Sequence, residues 1–95
     1  SRADLRKFNF SKGDTEGLVN YCLSIKGVEL AAFIKEDVGI VKMSFRSKGS
    51  LRVNDFSSIY FSGGGHINAA GGRSELSFVD TVLKFKETVK VFLNE

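Results

Sequence analysis

Two neighbouring runs of alternating residues constrain the fold of this chain more than any other feature of its sequence. Residues 28–35 carry apolar side chains at every second position, and residues 40–47 do the same after the short connection 36–39. Alternation is typical of a β-strand, and a short connection between two such runs predicts an antiparallel hairpin. Because Ala31 and Phe33 make the second face of the first run apolar as well, we expect an interior strand with both faces largely covered.

The second run predicts a strand with two different faces. One side of residues 40–47 is apolar and the other is polar or charged. Since successive side chains of a strand point to opposite faces, the apolar side is expected to pack on a core and the polar side to meet a ligand. The apolar side carries Val41, Met43 and Phe45, and the polar side carries Lys42, Ser44 and Arg46.

The C-terminal segment predicts an amphipathic helix. Ser77 precedes Asp80 by three positions, which is a weak variant of the capping box found at helix starts. Apolar residues then recur at helical spacing, and we expect their face to cover the sheet because aromatic residues at this spacing are typical of a core. The stripe consists of Phe78, Val82, Phe85, Val89 and Phe92.

The remaining segments predict shorter elements and complete the fold class. We expect a short helix over residues 1–8, a turn over 9–13, a helix over 14–22, a helix capped by Asn54 that ends at a glycine cluster, and a strand over 71–76. Together these elements predict an α/β (α+β) fold. Its small mixed β-sheet contains the antiparallel hairpin and is covered by helices, including the C-terminal amphipathic helix.

Composition limits the classes to which the chain can belong. It has 95 residues, of which 42% are apolar, so we interpret residues 1–95 as one domain with a modest core. No apolar run approaches the ~20 residues of a membrane span, and we expect a cytoplasmic protein without a membrane partner. Cys22 is the only cysteine, which excludes a disulfide within the chain, and its apolar neighbours indicate a packed thiol.

Charge is unevenly distributed along the chain. The net charge is only +3, but no acidic residue lies between Asp37 and Asp55. A local positive field of this kind favours a phosphate-bearing partner, although a solvated basic edge would give the same pattern. The basic residues of the segment are Lys42, Arg46, Lys48 and Arg52.

A glycine-rich passage, SGGGHINAAGG over residues 62–72, contains the only histidine, His66. It predicts a sharp, bare loop at the edge of the sheet, where backbone N–H groups could bind an anion and the imidazole could donate to a phosphate oxygen. A flexible loop with a surface histidine is the alternative. A dinucleotide-binding fingerprint is excluded, because these glycines do not open a helix after a strand.

The passage resembles a known signature. Residues 63–71 are similar to the G-G-G-H-x-x-A-A-G motif of the C-terminal, DHH-associated domain of DHH-family phosphoesterases. Residues 12–20 and 44–49 resemble the corresponding segments of the branch that degrades very short RNAs and dephosphorylates adenosine 3′,5′-bisphosphate. The resemblance covers roughly residues 12–92, and it departs from the family at Ser62, where a fourth glycine is frequent.

This resemblance implies a two-domain enzyme, with residues 1–95 forming most of its C-terminal domain. An N-terminal DHH domain would hold two manganese ions through Asp and His ligands, and the C-terminal domain would close over the cleft to hold short RNA or a nucleotide phosphate. It also admits a homodimer of the parent protein. The implied contacts to phosphate or nucleotide are Arg46, Gly63, Gly64, Gly65 and His66, with Ser47 and Asn68 as weaker second contacts.

The chain itself is not expected to carry a metal, a cofactor or catalytic residues. A two-metal phosphoesterase needs clustered carboxylates and imidazoles, and eleven acidic residues dispersed around one histidine do not supply them. We therefore expect it to bind substrate without cutting it. Two alternatives remain open: a nucleic-acid-binding module like the glycine- and histidine-containing domain at the C-terminus of alanyl-tRNA synthetases, and a purely structural interaction domain.

Overall fold

The protein folds as one antiparallel sheet with both helices on one side. The structure, a computed structural model, describes residues 17–25 and 27–94 and the backbone of residues 6–10. The sheet has the strand order β1-β2-β3-β4-β6-β5, and every described pair of neighbouring strands is antiparallel. The elements are β1 (Arg6–Phe10), β2 (Leu18–Ile25), β3 (Val28–Asp37), β4 (Ile40–Lys48), α1 (Val53–Tyr60), β5 (Gly64–His66), β6 (Ala69–Ser74) and α2 (Phe78–Leu93).

These elements confirm the predicted α+β class and correct one detail of it. The sheet is antiparallel throughout its described pairs rather than mixed. Among the described strands, the one connection between non-neighbours runs from β4 to β5, because β6 lies between them in the sheet. The strand β6, which carries the second half of the glycine-rich passage, therefore pairs directly with β4.

The predicted hairpin is confirmed as β3 and β4, with slightly longer strands than expected. Gly39 adopts a φ of +73°, which suits glycine in the tight turn, and the Asp37 carboxylate accepts a hydrogen bond of 2.8 Å from the Val38 N–H. β3 lies inside the sheet as predicted, but the expectation that both its faces are covered is wrong. Ala31 and Phe33 are exposed because both helices pack on the opposite face.

The hydrophobic core lies between the sheet and the two helices. The apolar side of β4 is buried, and the Phe45 ring packs 5.3 Å from Phe56 of α1 and 6.1 Å from Phe85 of α2, measured between ring centroids. Aromatic pairs in this range add to the stability gained from burial alone. The polar side of β4 is exposed, which confirms its predicted two faces.

Helix α2 is confirmed with its predicted cap. The Ser77 side chain accepts a hydrogen bond of 3.0 Å from the Asp80 N–H, and Phe85 and Val89 are fully buried against the sheet. The rest of the predicted stripe, Phe78, Val82 and Phe92, packs around them half-buried. Within the described part of the chain, no helix has the length and apolar character needed to cross a membrane.

The N-terminal predictions are wrong where the structure describes the chain. Residues Arg6–Phe10 form β1 instead of the end of a helix and the start of a turn, and Leu18–Ile25 form β2 instead of a helix. Leu18 and Cys22 share helical spacing, but Tyr21 and Leu23 are among the alternating residues that β2 buries, so a period of two prevails. Residues 1–5 and 11–16, on which these predictions also fall, lie outside the described residues.

Helix α1 and strand β6 are confirmed with shifted starts. Arg52, not Asn54, occupies the N-cap position of α1, and the Asn54 side chain accepts from the neighbouring Asp55 N–H at 2.9 Å. The Val53 N–H, which has no partner inside the helix, donates to the Ile67 carbonyl oxygen at 2.8 Å. β6 begins at Ala69, before the predicted start at residue 71, because its first residues pair with both β4 and β5.

Candidate functional site

One row of side chains crosses the open face of the sheet and contains two of the predicted site residues. The strand register makes Ala31 and Ala69 the Cα partners of Arg46, and His66 the partner of Ala69. Directly paired residues of an antiparallel sheet point to the same face, and strands are about 4.8 Å apart, so His66 lies about 10 Å from Arg46 along this row. The two alanines leave the Arg46 side chain exposed.

A groove of about 1070 Å³ surrounds this row. Four of the predicted site residues, Arg46, Ser47, His66 and Asn68, line it together. Cys22, predicted to be a packed thiol, is instead half-buried on the open face and lines the same groove. The remaining lining includes Ser24, Glu29, Ala31, Lys48 and Ala69.

The charges of the groove leave Arg46 without a carboxylate partner among the described residues. The ion pairs among the described residues are Lys42 with Asp37 at 3.8 Å and Arg52 with Asp55 at 2.8 Å, both outside the groove. Two cations of the basic segment are thus balanced by nearby acids, whereas the Arg46 guanidinium keeps its donors for another group. A planar guanidinium in this state suits bidentate binding of a phosphate.

The glycines of the signature form an edge strand rather than the predicted loop. Gly64, Gly65 and His66 make up β5, which pairs with β6. A Cβ added to Gly63 would overlap the Gly71 carbonyl oxygen, and one added to Gly65 would lie 2.7 Å from the Ala69 carbonyl oxygen. Two of the three glycines are therefore required by close packing of the hairpin itself.

Gly64 differs from its two neighbours. A Cβ added there would meet no atom within 4 Å, and its φ lies outside the left-handed region. Gly64 is therefore the one glycine of the three whose bare backbone faces open space. Ser62, in contrast, has a φ of +53°, a conformation in which glycine is favoured, which agrees with the frequent fourth glycine of the resembling family.

The end of helix α1 holds the glycine hairpin in place. The Ser57 hydroxyl, which is fully buried, donates to the Gly71 carbonyl oxygen, and the Ser57 carbonyl oxygen accepts from the Gly63 N–H at 3.2 Å. The Arg73 N–H donates to the Phe61 carbonyl oxygen at 2.8 Å. This role of Ser57 could not be predicted from sequence, because a serine inside a helix gives no signal of a contact with a strand that follows later.

Ser47 and Asn68 form a brace between β4 and the β5–β6 turn. The Asn68 side-chain amide donates to the Ser47 hydroxyl at 2.8 Å, and that hydroxyl donates to the Leu51 carbonyl oxygen at 2.8 Å. The Ser47 N–H donates to the Asn68 carbonyl oxygen at 3.0 Å. These contacts fix the loop after β4 beside Arg46, and direct contact of either residue with a substrate stays a prediction.

The residues that the structure describes include no group of three or more His, Cys, Asp or Glu side chains that could hold a metal ion. We therefore expect isothermal titration of this chain with manganese to detect no tight site, since one imidazole and separated carboxylates cannot form one. A manganese site with sub-micromolar affinity would contradict this expectation. Titration with EDTA-treated protein provides the baseline.

The fold and site together define a small α+β domain with one sheet face covered by helices and the other carrying an open groove lined by Arg46 and His66. The sequence pattern of the DHHA1 domain matches residues 3–95, and the chain belongs to this DHH-associated family. Membership agrees with the signature at residues 63–71. DHHA1 domains normally accompany an N-terminal DHH domain.

A solved structure supports the same assignment. The chain is 32% identical to an exopolyphosphatase-related protein from Bacteroides fragilis, with a TM-score of 0.63. The match covers 66% of this chain and 18% of that one, so the chain spans less than a fifth of the length of that protein. No curated protein matches the chain.

Proposed function

We propose that this domain recognises the phosphate and nucleotide of the substrate for a DHH-family phosphoesterase, and that the substrates are very short RNAs, nucleoside 3′,5′-bisphosphates or both. Family membership and the likeness to an exopolyphosphatase-related protein support a role beside a phosphoesterase domain. The resemblance of residues 12–20 and 44–49 to the short-RNA branch supports the choice of substrate. The manganese of such an enzyme would be held by the DHH domain, where it would activate water.

The proposal rests on the exposure of Arg46 and on the absence of an ion pair with this residue among those described. Its side chain stands on an exposed strand face between two alanines and has no carboxylate partner among the residues described. The planar fork of arginine is pre-organised, so it loses less freedom per hydrogen bond than lysine does and is suited to anchor a terminal phosphate by two parallel bonds. His66, at the far end of the same groove, would then donate a hydrogen bond to a second phosphate or sugar oxygen.

Arg46→Ala is expected to weaken binding of a 5′-phosphorylated short RNA by about 1.5–3 kcal/mol, the range for hydrogen bonds to charged groups. The midpoint of thermal unfolding should stay nearly unchanged, because the side chain is exposed. The affinity can be measured by NMR titration of the chain and the turnover in the protein that carries its DHH domain. Lys90→Ala, which removes an exposed cation from α2 on the other side of the sheet, is the matched control.

Arg46→Lys separates a bidentate contact from a general need for positive charge. A lysine keeps the charge but lacks the planar fork of donors, so we expect it to recover only part of the lost affinity. Full activity of Arg46→Lys, or full affinity of Arg46→Ala, would contradict the assignment of Arg46 as the phosphate anchor.

A further inference from the structure

Three cations stand side by side at the end of the open face away from the Arg46 groove. Lys35, Lys42 and Arg73 are successive Cα partners on β3, β4 and β6, and all three are exposed. Like charges directly opposite each other destabilise a sheet. Asp37 lies 3.8 Å from Lys42, but no described carboxylate forms an ion pair with Lys35 or Arg73. The cationic row, as we call these three residues, therefore carries a repulsion that a bound anion would relieve.

Glu36, the acid next to Lys35 in the chain, does not form an ion pair with the row. An added Cβ at Gly17 would lie 2.6 Å from a carboxylate oxygen of Glu36, so that side chain lies against the strand end. Its position in β3 also alternates with that of Lys35, which puts the two residues on opposite faces at their Cα atoms. Glu36 therefore leaves the exposed Lys35 side chain available to an external ligand.

An exposed aromatic ring and glycine backbone without side chains lie between the cationic row and Arg46. Phe33, Ser44, Gly71 and Gly64 are successive Cα partners across the sheet. Phe33 is 37% exposed although it lies on an interior strand. A Cβ added to Gly71 would meet only the Met43 carbonyl oxygen, at 3.5 Å, and one at Gly64 would meet nothing. This middle row therefore offers a ring face beside nearly flat backbone.

The spacing of the three rows suits an extended chain with several phosphates. Arg46, Ser44 and Lys42 follow each other on one face of β4, and a strand rises about 3.4 Å per residue, so Arg46 and Lys42 are about 14 Å apart. Side chains that extend away from the sheet at these two positions are spaced to contact different phosphates of one chain. An aromatic residue on an open sheet, flanked by cations, is the arrangement by which proteins stack the bases of single-stranded nucleic acids.

We propose that the middle row and the cationic row form a second subsite, which binds the nucleotides that follow the one anchored at Arg46. Phe33 stacks with a base, and Lys35 and Arg73, the two cations of the row that have no ion pair among the described residues, contact the phosphates beyond it. The ligand class is a single-stranded oligonucleotide, since a base-free polyanion would use the cations but not the ring. This inference rests on the proposed function, because it takes Arg46 as the anchor, and it makes affinity depend on oligonucleotide length.

The test measures the affinity of the chain for 5′-phosphorylated oligoadenylates of one to four nucleotides. Unaltered protein should bind the longer oligonucleotides more tightly than the mononucleotide. Phe33→Leu should lower the affinity for the tetranucleotide about fivefold or more, since stacking on an aromatic ring contributes to each bound base, and leave that for the mononucleotide unchanged. Phe33→Tyr keeps the ring and should retain the affinity, which guards against an effect of folding alone.

The double variant Lys35→Gln/Arg73→Gln tests the cationic row. It should lower the salt dependence of tetranucleotide binding, expressed as the slope of log K against log salt concentration, by about 1.4, because each phosphate contact to a single strand contributes about 0.7. It should also raise the midpoint of thermal unfolding at low salt by removing repulsion. Lys86→Gln/Lys90→Gln on α2 removes the same charge from the other side of the sheet and should change neither slope nor length dependence.

The outcomes separate this inference from the proposed function. If Arg46→Ala weakens binding at every length but the Phe33 and cationic-row variants leave the length dependence intact, the second subsite is overturned and the anchor stands. If Arg46→Ala has no effect at any length, the proposed function itself fails. Equal affinity for tripolyphosphate and for the trinucleotide, unaffected by Phe33→Leu, would also overturn a base-binding subsite.

Discussion

Gly63→Ala is expected to lower the free energy of unfolding by about 3 kcal/mol or more, at the upper end of the range for an inserted methyl group in a packed site. The added Cβ would overlap the Gly71 carbonyl oxygen and the Ser57 hydroxyl and would lie 2.7 Å from the Gly72 Cα. Two of these three atoms belong to backbone that is itself held in the sheet, so no rotation of a side chain relieves the contact. Urea denaturation followed by circular dichroism measures the loss.

The neighbouring Gly64→Ala is the matched control for this substitution. It adds the same methyl group one residue later, where nothing lies within 4 Å. A Cβ also reduces the freedom of the unfolded chain, so Gly64→Ala should be neutral or slightly stabilising. Equal stability of Gly63→Ala and Gly64→Ala would show that the hairpin accommodates a side chain at both positions, and the packing account of the glycines would be wrong.

Gly64→Val, in the protein that carries the DHH domain, is expected to lower kcat/KM for a short RNA by about 100-fold or more while leaving the fold intact, because small displacements of a bound substrate have effects of this size. The φ of Gly64 is not in the left-handed region, and valine is favoured in strands, so the backbone accepts the change. The branched side chain would instead stand on the open face beside the groove and displace the substrate.

His66→Ala is expected to have a smaller effect in the same assay. It removes one donor, which corresponds to a loss of about 1.5 kcal/mol, where the ranges for neutral acceptors and for charged acceptors meet. The glycine backbone of β5 and the Arg46 side chain remain available to the substrate. Steady-state rates on a short RNA, with circular dichroism as the folding control, test the pair of variants. A folded and fully active Gly64→Val would refute the role of Gly64 as an open surface for substrate.

The hairpin of β3 and β4 could be predicted from sequence because a single pattern, alternation, specifies both its strands and its two faces. The exposure of Arg46 could be predicted in the same way, because Arg46 lies on the face of β4 opposite to that of Val41, Met43 and Phe45. Helix α2 was equally clear, because the Ser77 cap and the aromatic stripe agree. Where local signals coincide, sequence alone locates an element and the direction of its side chains.

The failures have equally specific causes. In β2 the spacing of Leu18 and Cys22 imitates one turn of a helix, and only the burial of alternate residues by distant helices shows the strand. The glycine passage was predicted as a loop because its reason for lacking side chains, the close approach of Ser57 and β6, lies in tertiary contacts. The three glycines of residues 63–65 are equivalent in the sequence motif, whereas Gly64 has a different environment from Gly63 and Gly65 in the structure.

The alternation of buried and exposed residues along β4 also affects how the sequences of such domains can change in evolution. Its odd-numbered residues Val41, Met43 and Phe45 are buried in the core, and its even-numbered residues face the open side. Selection for stability and selection for ligand preference therefore act on separate positions of one strand. A point substitution at an even position can alter what the domain binds at little cost to folding, whereas a one-residue shift in the pairing register of β4 would exchange the two sets and place Arg46 in the core.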